Sequence, residues 1–122
     1  MIRLGTALKS QEPPFHRCLV LSDPQTNGGQ VVLVRVTTDD GTRPDPDCIL
    51  TAADWGELAH DSTVVYSTCK FGSAVNSLEA AIRRGLFQQI SSSSIEVLCR
   101  VIASDRTAAG MPPGAKKLLA TI

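Results

Sequence analysis

Two apolar runs separated by a short cluster of turn formers constrain this chain more than any other stretch. Arg17-Cys18-Leu19-Val20-Leu21-Ser22 lies between Pro13-Pro14 and Asp23-Pro24, which punctuate it on both sides. Gln25-Thr26-Asn27-Gly28-Gly29 follows, with residues that tolerate positive φ, and then Gln30 to Thr38, in which six of nine residues are β-branched. So short a connection closes an antiparallel hairpin, because a parallel crossover takes a dozen residues or more. Two strands, 17–22 and 30–38, are therefore expected side by side.

Further along, Cys48 to Thr51 reads as a short strand and Ser62 to Thr68 as another, β-branched and aromatic with little helical period. Asp39 to Asp47 reads as a loop, and Asp54 to Leu58 as an irregular or single-turn element. Helical spacing begins after Asn76, with Ser77 as cap, Leu78 and Ile82 one turn apart, and Gly85 placed to end a short helix. Ser93-Ser94-Ile95-Glu96 matches a capping box, and Ile95, Leu98, Cys99 and Ile102 continue it as an amphipathic helix ending near Asp105. Ala115 to Leu119 suggests a terminal turn. Strands first and helices after them predict an α+β domain, mainly β: an antiparallel sheet curled into a small barrel and covered by one short helix and one C-terminal helix.

The 122 residues suit one domain, 1–122, and 43% apolar with 20% charged residues is a globular composition. No apolar run approaches the roughly 20 residues that span a bilayer, and no signal-like segment opens the chain, so a cytoplasmic protein away from membranes is expected. Twelve basic and twelve acidic residues cancel, which excludes a global positive field, yet they are unevenly spread. Residues 1–35 carry +2, 36–69 carry −6 and 70–122 carry +4. The acidic stretch reads either as a solvated loop or as a flap beside a basic groove. Cys18, Cys48, Cys69 and Cys99 form no C-x-x-C pair and are expected as free thiols. A metal set of His16, Cys18, His60 and Cys69 can be drawn, but the spacing does not require it, and neither metal nor cofactor is expected.

No common hydrolase, nucleotide-binding or metalloprotease signature is present. His60-Asp61-Ser62 is not a triad, because consecutive residues of an extended strand face alternate sides. In the expected hairpin the start of one strand lies near the end of the other, which brings Arg17 and Thr37 to one rim. A guanidinium and a hydroxyl there suit phosphodiester cleavage, with the ribose 2′-OH as nucleophile and His16 or His60 carrying the proton. The plainer alternative pairs Arg17 with Asp23 and leaves Thr37 as a strand end. Trp55 and Tyr66 are open to either base stacking or core packing.

His16-Arg17-Cys18-Leu19-Val20-Leu21-Ser22, Val31 to Thr38, and Asp61-Ser62-Thr63-Val64-Val65-Tyr66 together resemble the MazF/PemK family of toxin-antitoxin toxins. The likeness runs from about residue 16 to residue 104 and rests on the order and spacing of these motifs. It implies a small SH3-like barrel with helices, usually a homodimer, that cleaves single-stranded RNA without a metal and is neutralised by an antitoxin. By position, the family's strand-leading arginine falls on Arg17 and its strand-ending threonine on Thr37. Cys18 replaces the proline common after that arginine, Thr68 stands where some members have an acid, and only Gly5 is available for the opening strand's glycine. The expected site is thus Arg17, Thr37, His16 and His60 for catalysis, with Arg35, Thr38, Ser62, Tyr66 and Lys70 contacting RNA. The rival expectation is a non-catalytic barrel that binds a protein partner.

Overall fold

A computed structural model describes residues 2–13, 15–38, 48–108 and 111–120, and over 66–74 the backbone alone. The elements run β1 (Ala7–Ser10), β2 (Arg17–Val20), β3 (Gln30–Thr38), β4 (Ile49–Leu50), β5 (Ser62–Ala74), α1 (Val75–Arg83), β6 (Phe87–Ile90), α2 (Ile95–Thr107) and α3 (Pro113–Lys116). The strands form one six-stranded sheet in the order β4-β5-β3-β2-β1-β6, and every pairing is antiparallel. The α+β class, mainly sheet, is as expected. The sheet is open rather than closed into a barrel, with β4 and β6 as its two edges.

The hairpin expected from Asn27-Gly28-Gly29 is β2–β3. Gly28 and Gly29 take φ of 76° and 83°, a region closed to most side chains. They let Gly29 donate to the Pro24 carbonyl at 2.8 Å and turn the chain back. Two elements were not anticipated: β1, a four-residue strand with a lysine in it, and β6, whose two central residues are exposed glutamines. Along β3–β5 the register shifts twice. Between Leu33 and Arg35 on β3, the partner strand runs from Lys70 to Val65, so the extra residues lie on β5 and β3 stays regular.

Because side chains alternate across a strand, the sheet has two differently covered faces. Leu19, Val32, Val34, Val36 and Val64 point to one face and pack with Val97, Leu98, Val101 and Ile102 of α2 in the main core. Leu8, Val20 and Val31 point to the other, where a smaller cluster gathers beneath Val75, Leu78 and Ile82 of α1. Each helix is ended by local chemistry. α1 starts at Val75, two residues before the expected cap, and stops at Gly85, whose φ of 79° permits a Schellman turn. There Gly85 donates to the Ile82 carbonyl and Leu86 to the Ala81 carbonyl, both at 3.0 Å. α2 is capped by Ser94, whose hydroxyl accepts from the Val97 amide at 3.2 Å. The cap sits one residue later than Ser93, so Glu96 occupies the second helical position and the expected capping box does not form.

Candidate functional site

β2–β3 register decides which polar residues can meet. Arg17 is paired with Val36 and Cys18 with Arg35. Directly opposed residues share a face, so Arg17 lies on the face of Val36, while Thr37, the next residue, lies on the other. The expected convergence of Arg17 and Thr37 at one rim is therefore corrected: the two are adjacent in the sheet and point to opposite sides of it. The alternative partner for Arg17 also fails among the described residues, where the one salt bridge joins Arg100 to Asp54 at 2.9 Å. Asp23 instead accepts from the Gln25 amide at 3.1 Å. Arg17 is half-buried opposite Lys9, with its Nε buried and lacking a hydrogen-bond partner.

On the α1 side, the same alternation gathers His16, Arg35 and Thr37. Nη1 of Arg35 lies 3.3 Å from Nε2 of His16. A guanidinium has donors only, so this contact requires Nε2 to offer its lone pair and assigns the imidazole proton to Nδ1. The imidazole is thus neutral. Its pKa is lowered from the ordinary 6.5, first by removal from water and then by the neighbouring Arg35 charge. Among the described residues no carboxylate balances Arg35, and its Nε is buried with no partner, an omission that costs roughly 1–3 kcal/mol. Thr37 stands two residues along β3 on the same face, half-buried and opposite Thr63.

Behind this cluster lies a cavity of about 390 Å³, open to solvent, between the sheet and α1. Val31, Leu33, Leu78, Ala81 and Phe87 form its apolar walls; His16, Arg35, Ser10 and Ser77 are its polar members. Phe15, just before His16, is 46% exposed and holds φ at 57°, the only residue other than glycine with positive φ among those described. An aromatic residue in the left-handed region is strained, and such strain is concentrated where a neighbouring side chain must be aimed.

The remaining expected residues are dispersed. His60 is exposed in the turn before β5, and its carbonyl accepts from the Ser62 hydroxyl at 2.9 Å. Ser62 is buried, and it and its partner Thr38 lie on the face away from Arg35. Tyr66 and Lys70 lie on β5 where side chains are outside the described residues, as does Cys69 of the conceivable metal set. Cys48 and Cys99 are free thiols. Among the described residues no three His, Cys, Asp or Glu side chains gather closely enough to hold a metal. Trp55 is core: 2% exposed, its indole donates to the Ser91 carbonyl at 2.7 Å. No helix of the described residues is long and apolar enough to cross a membrane.

Strand ends alone do not reveal the His16–Arg35 contact, because it depends on register. Counting outward from the turn with Leu19 opposite Val34 would have placed His16 beside Thr37 and diagonal to Arg35. No protein-family model matches the chain, and no curated protein matches its sequence.

Proposed function

We propose that this chain is a MazF/PemK-like, metal-independent endoribonuclease that cleaves single-stranded RNA with His16, Arg35 and Thr37 as its working residues. The single observation that carries the reading is the 3.3 Å contact between the His16 imidazole and a guanidinium that has no carboxylate partner among the described residues, at the mouth of an open cavity. Arg17 is not part of the chemistry. Neutralising charge on the phosphate oxygens falls to Arg35.

When a phosphodiester arrives, Arg35 turns its donors from His16 to the phosphate oxygens, a stronger charge-assisted bond. That move frees the Nε2 lone pair of His16. The imidazole then takes the proton from the ribose 2′-OH, the 2′-oxygen bonds to phosphorus, and the bond to the 5′-oxygen breaks. The products are a 2′,3′-cyclic phosphate and a 5′-hydroxyl, the latter formed as the leaving oxygen takes up a proton from solvent water. Thr37 donates its hydroxyl to hold the phosphate. The antiparallel order and the extra residues on β5, an irregularity of the kind that bends a strand, support descent from the family's SH3-like barrel. A homodimer, an antitoxin partner and action in the cytoplasm belong to the same proposal.

The test is incubation of the purified protein with mixed-sequence single-stranded RNA in EDTA. Fragments ending in 2′,3′-cyclic phosphate are expected; intact RNA would overturn the nuclease reading. A second reading, a non-catalytic module that grips a protein partner, is favoured by one observation, the exposed Phe15 beside an apolar cavity. Intact RNA, together with growth arrest on overexpression, would leave that reading standing.

A further inference from the structure

The cavity beneath α1 is larger and more apolar than a phosphodiester needs. Its floor is β3, which carries Val31, Leu33 and Arg35 on one face at two-residue spacing. A regular strand rises about 3.3 Å per residue, so the Cα atoms of Val31 and Arg35 stand roughly 13 Å apart, with Arg35 at one end of an apolar slot. Leu78 and Ala81 of α1 roof the slot, and Phe87 of β6 closes a side. At about 390 Å³ the slot falls within the roughly 300–1,000 Å³ of small-molecule sites. Among the described residues no acid compensates the cation at its end.

We propose that this slot binds a small amphipathic monoanion, an aryl-alkyl carboxylate, with its carboxylate on Arg35 and its apolar body between β3 and α1. Apolar walls repel a second charge, and the few hydroxyls, Ser10 and Ser77, give little purchase to a sugar or a polar head larger than one carboxylate. The planar fork of Arg35 accepts a carboxylate side-on, and its unpartnered Nε becomes one of the two donors after a small rotation. This inference needs the slot and a guanidinium with no carboxylate partner among the described residues, and it stands apart from the nuclease reading. Where both hold, the ligand occupies the cation that the RNA phosphate would use and so competes with it.

The test titrates 4-phenylbutyrate and its uncharged counterpart 4-phenylbutan-1-ol into isotope-labelled protein, followed by amide chemical shifts and without RNA. Phenylbutyrate is expected to saturate at millimolar concentration with shifts in β3 and α1, and the alcohol, which offers one neutral acceptor where the carboxylate offers two charged ones, to bind about tenfold more weakly. Arg35→Gln should bring the acid down to the alcohol's affinity. Ala81→Phe, which fills the slot from α1, should abolish both. No saturable shift, equal binding of acid and alcohol, or undiminished binding by Ala81→Phe overturns the site. Because RNA is absent, failure here leaves the cleavage test untouched, and intact RNA leaves this titration untouched.

Discussion

Exchanging Arg35 for Met removes the guanidinium from the His16 face while keeping an unbranched stem at the edge of the cavity. In the proposed reaction Arg35 is the charged donor for the phosphate, and loss of one preorganised donor of this kind costs about 2.7–4 kcal/mol, or roughly 10²–10³ in rate. Arg17→Met provides the matched control. It removes an identical charge one residue from His16, but on the face of Val36, where it meets no substrate. Its rate should stay within about threefold of wild type, less than 1 kcal/mol on the same scale. The assay is single-turnover cleavage of a fluorophore-quencher RNA in EDTA, with thermal melts confirming that both variants fold. Arg35→Met cleaving within about threefold of wild type, or Arg17→Met losing as much as Arg35→Met, would refute the assignment.

Three further outcomes follow from the fold. Leu19 is fully buried in the main core between Ala7 of β1 and Val34 of β3; Leu19→Ala should cost about 3 kcal/mol and lower the melting temperature by roughly 12 °C for a chain of this size. Ser94→Ala removes the α2 cap and should cost about 1 kcal/mol in urea denaturation, whereas Ser93→Ala should change little. His16, whose folded-state pKa is depressed below 6.5, is protonated first in the unfolded chain. Its contribution is therefore fully present above 6.5 and is lost as pH falls through the folded-state value. Melts on both sides of that pH should show a steeper acid loss in wild type than in His16→Gln, and identical slopes would contradict the neutral imidazole.

Much of the architecture is legible in the residues because local and long-range signals agree there. β3 has the bounds that its β-branched run predicts, and β2 begins at Arg17 as the prolines before it require. α2 begins at Ile95, where a serine cap meets a helical apolar stripe. The missed strands lack that agreement. β1 is four residues long and β6 offers Gln88 and Gln89 to solvent, so each owes its existence to pairing with the other across the sheet rather than to its own pattern. The expected barrel does not close, because closure depends on distant edges meeting and the edge strands β4 and β6 do not pair.

The site illustrates the finer limit. Residue types were informative: His16, Arg35 and Thr37 are all among those the sequence singles out for RNA chemistry. Their grouping was not, because a strand's side chains change face at every residue and register is set by the turn. Strand ends alone bring Arg17 near Thr37, yet the pairing of Arg17 with Val36 sends them apart and moves His16 to the face of Arg35. Trp55 and Ser62 look available for recognition in the sequence, but both are buried, the indole donating to the distant Ser91 carbonyl and the Ser62 hydroxyl to the His60 carbonyl two residues before it.

The pKa of His16, followed by its ring proton shifts in wild type, Arg35→Met and Arg17→Met, probes the assembled pair without any substrate. It should lie below the ordinary 6.5 in wild type, rise in Arg35→Met as the neighbouring charge is lost, and stay put in Arg17→Met. An ordinary value in wild type, or a response to Arg17 in place of Arg35, would mean that the two groups do not share one face of the sheet.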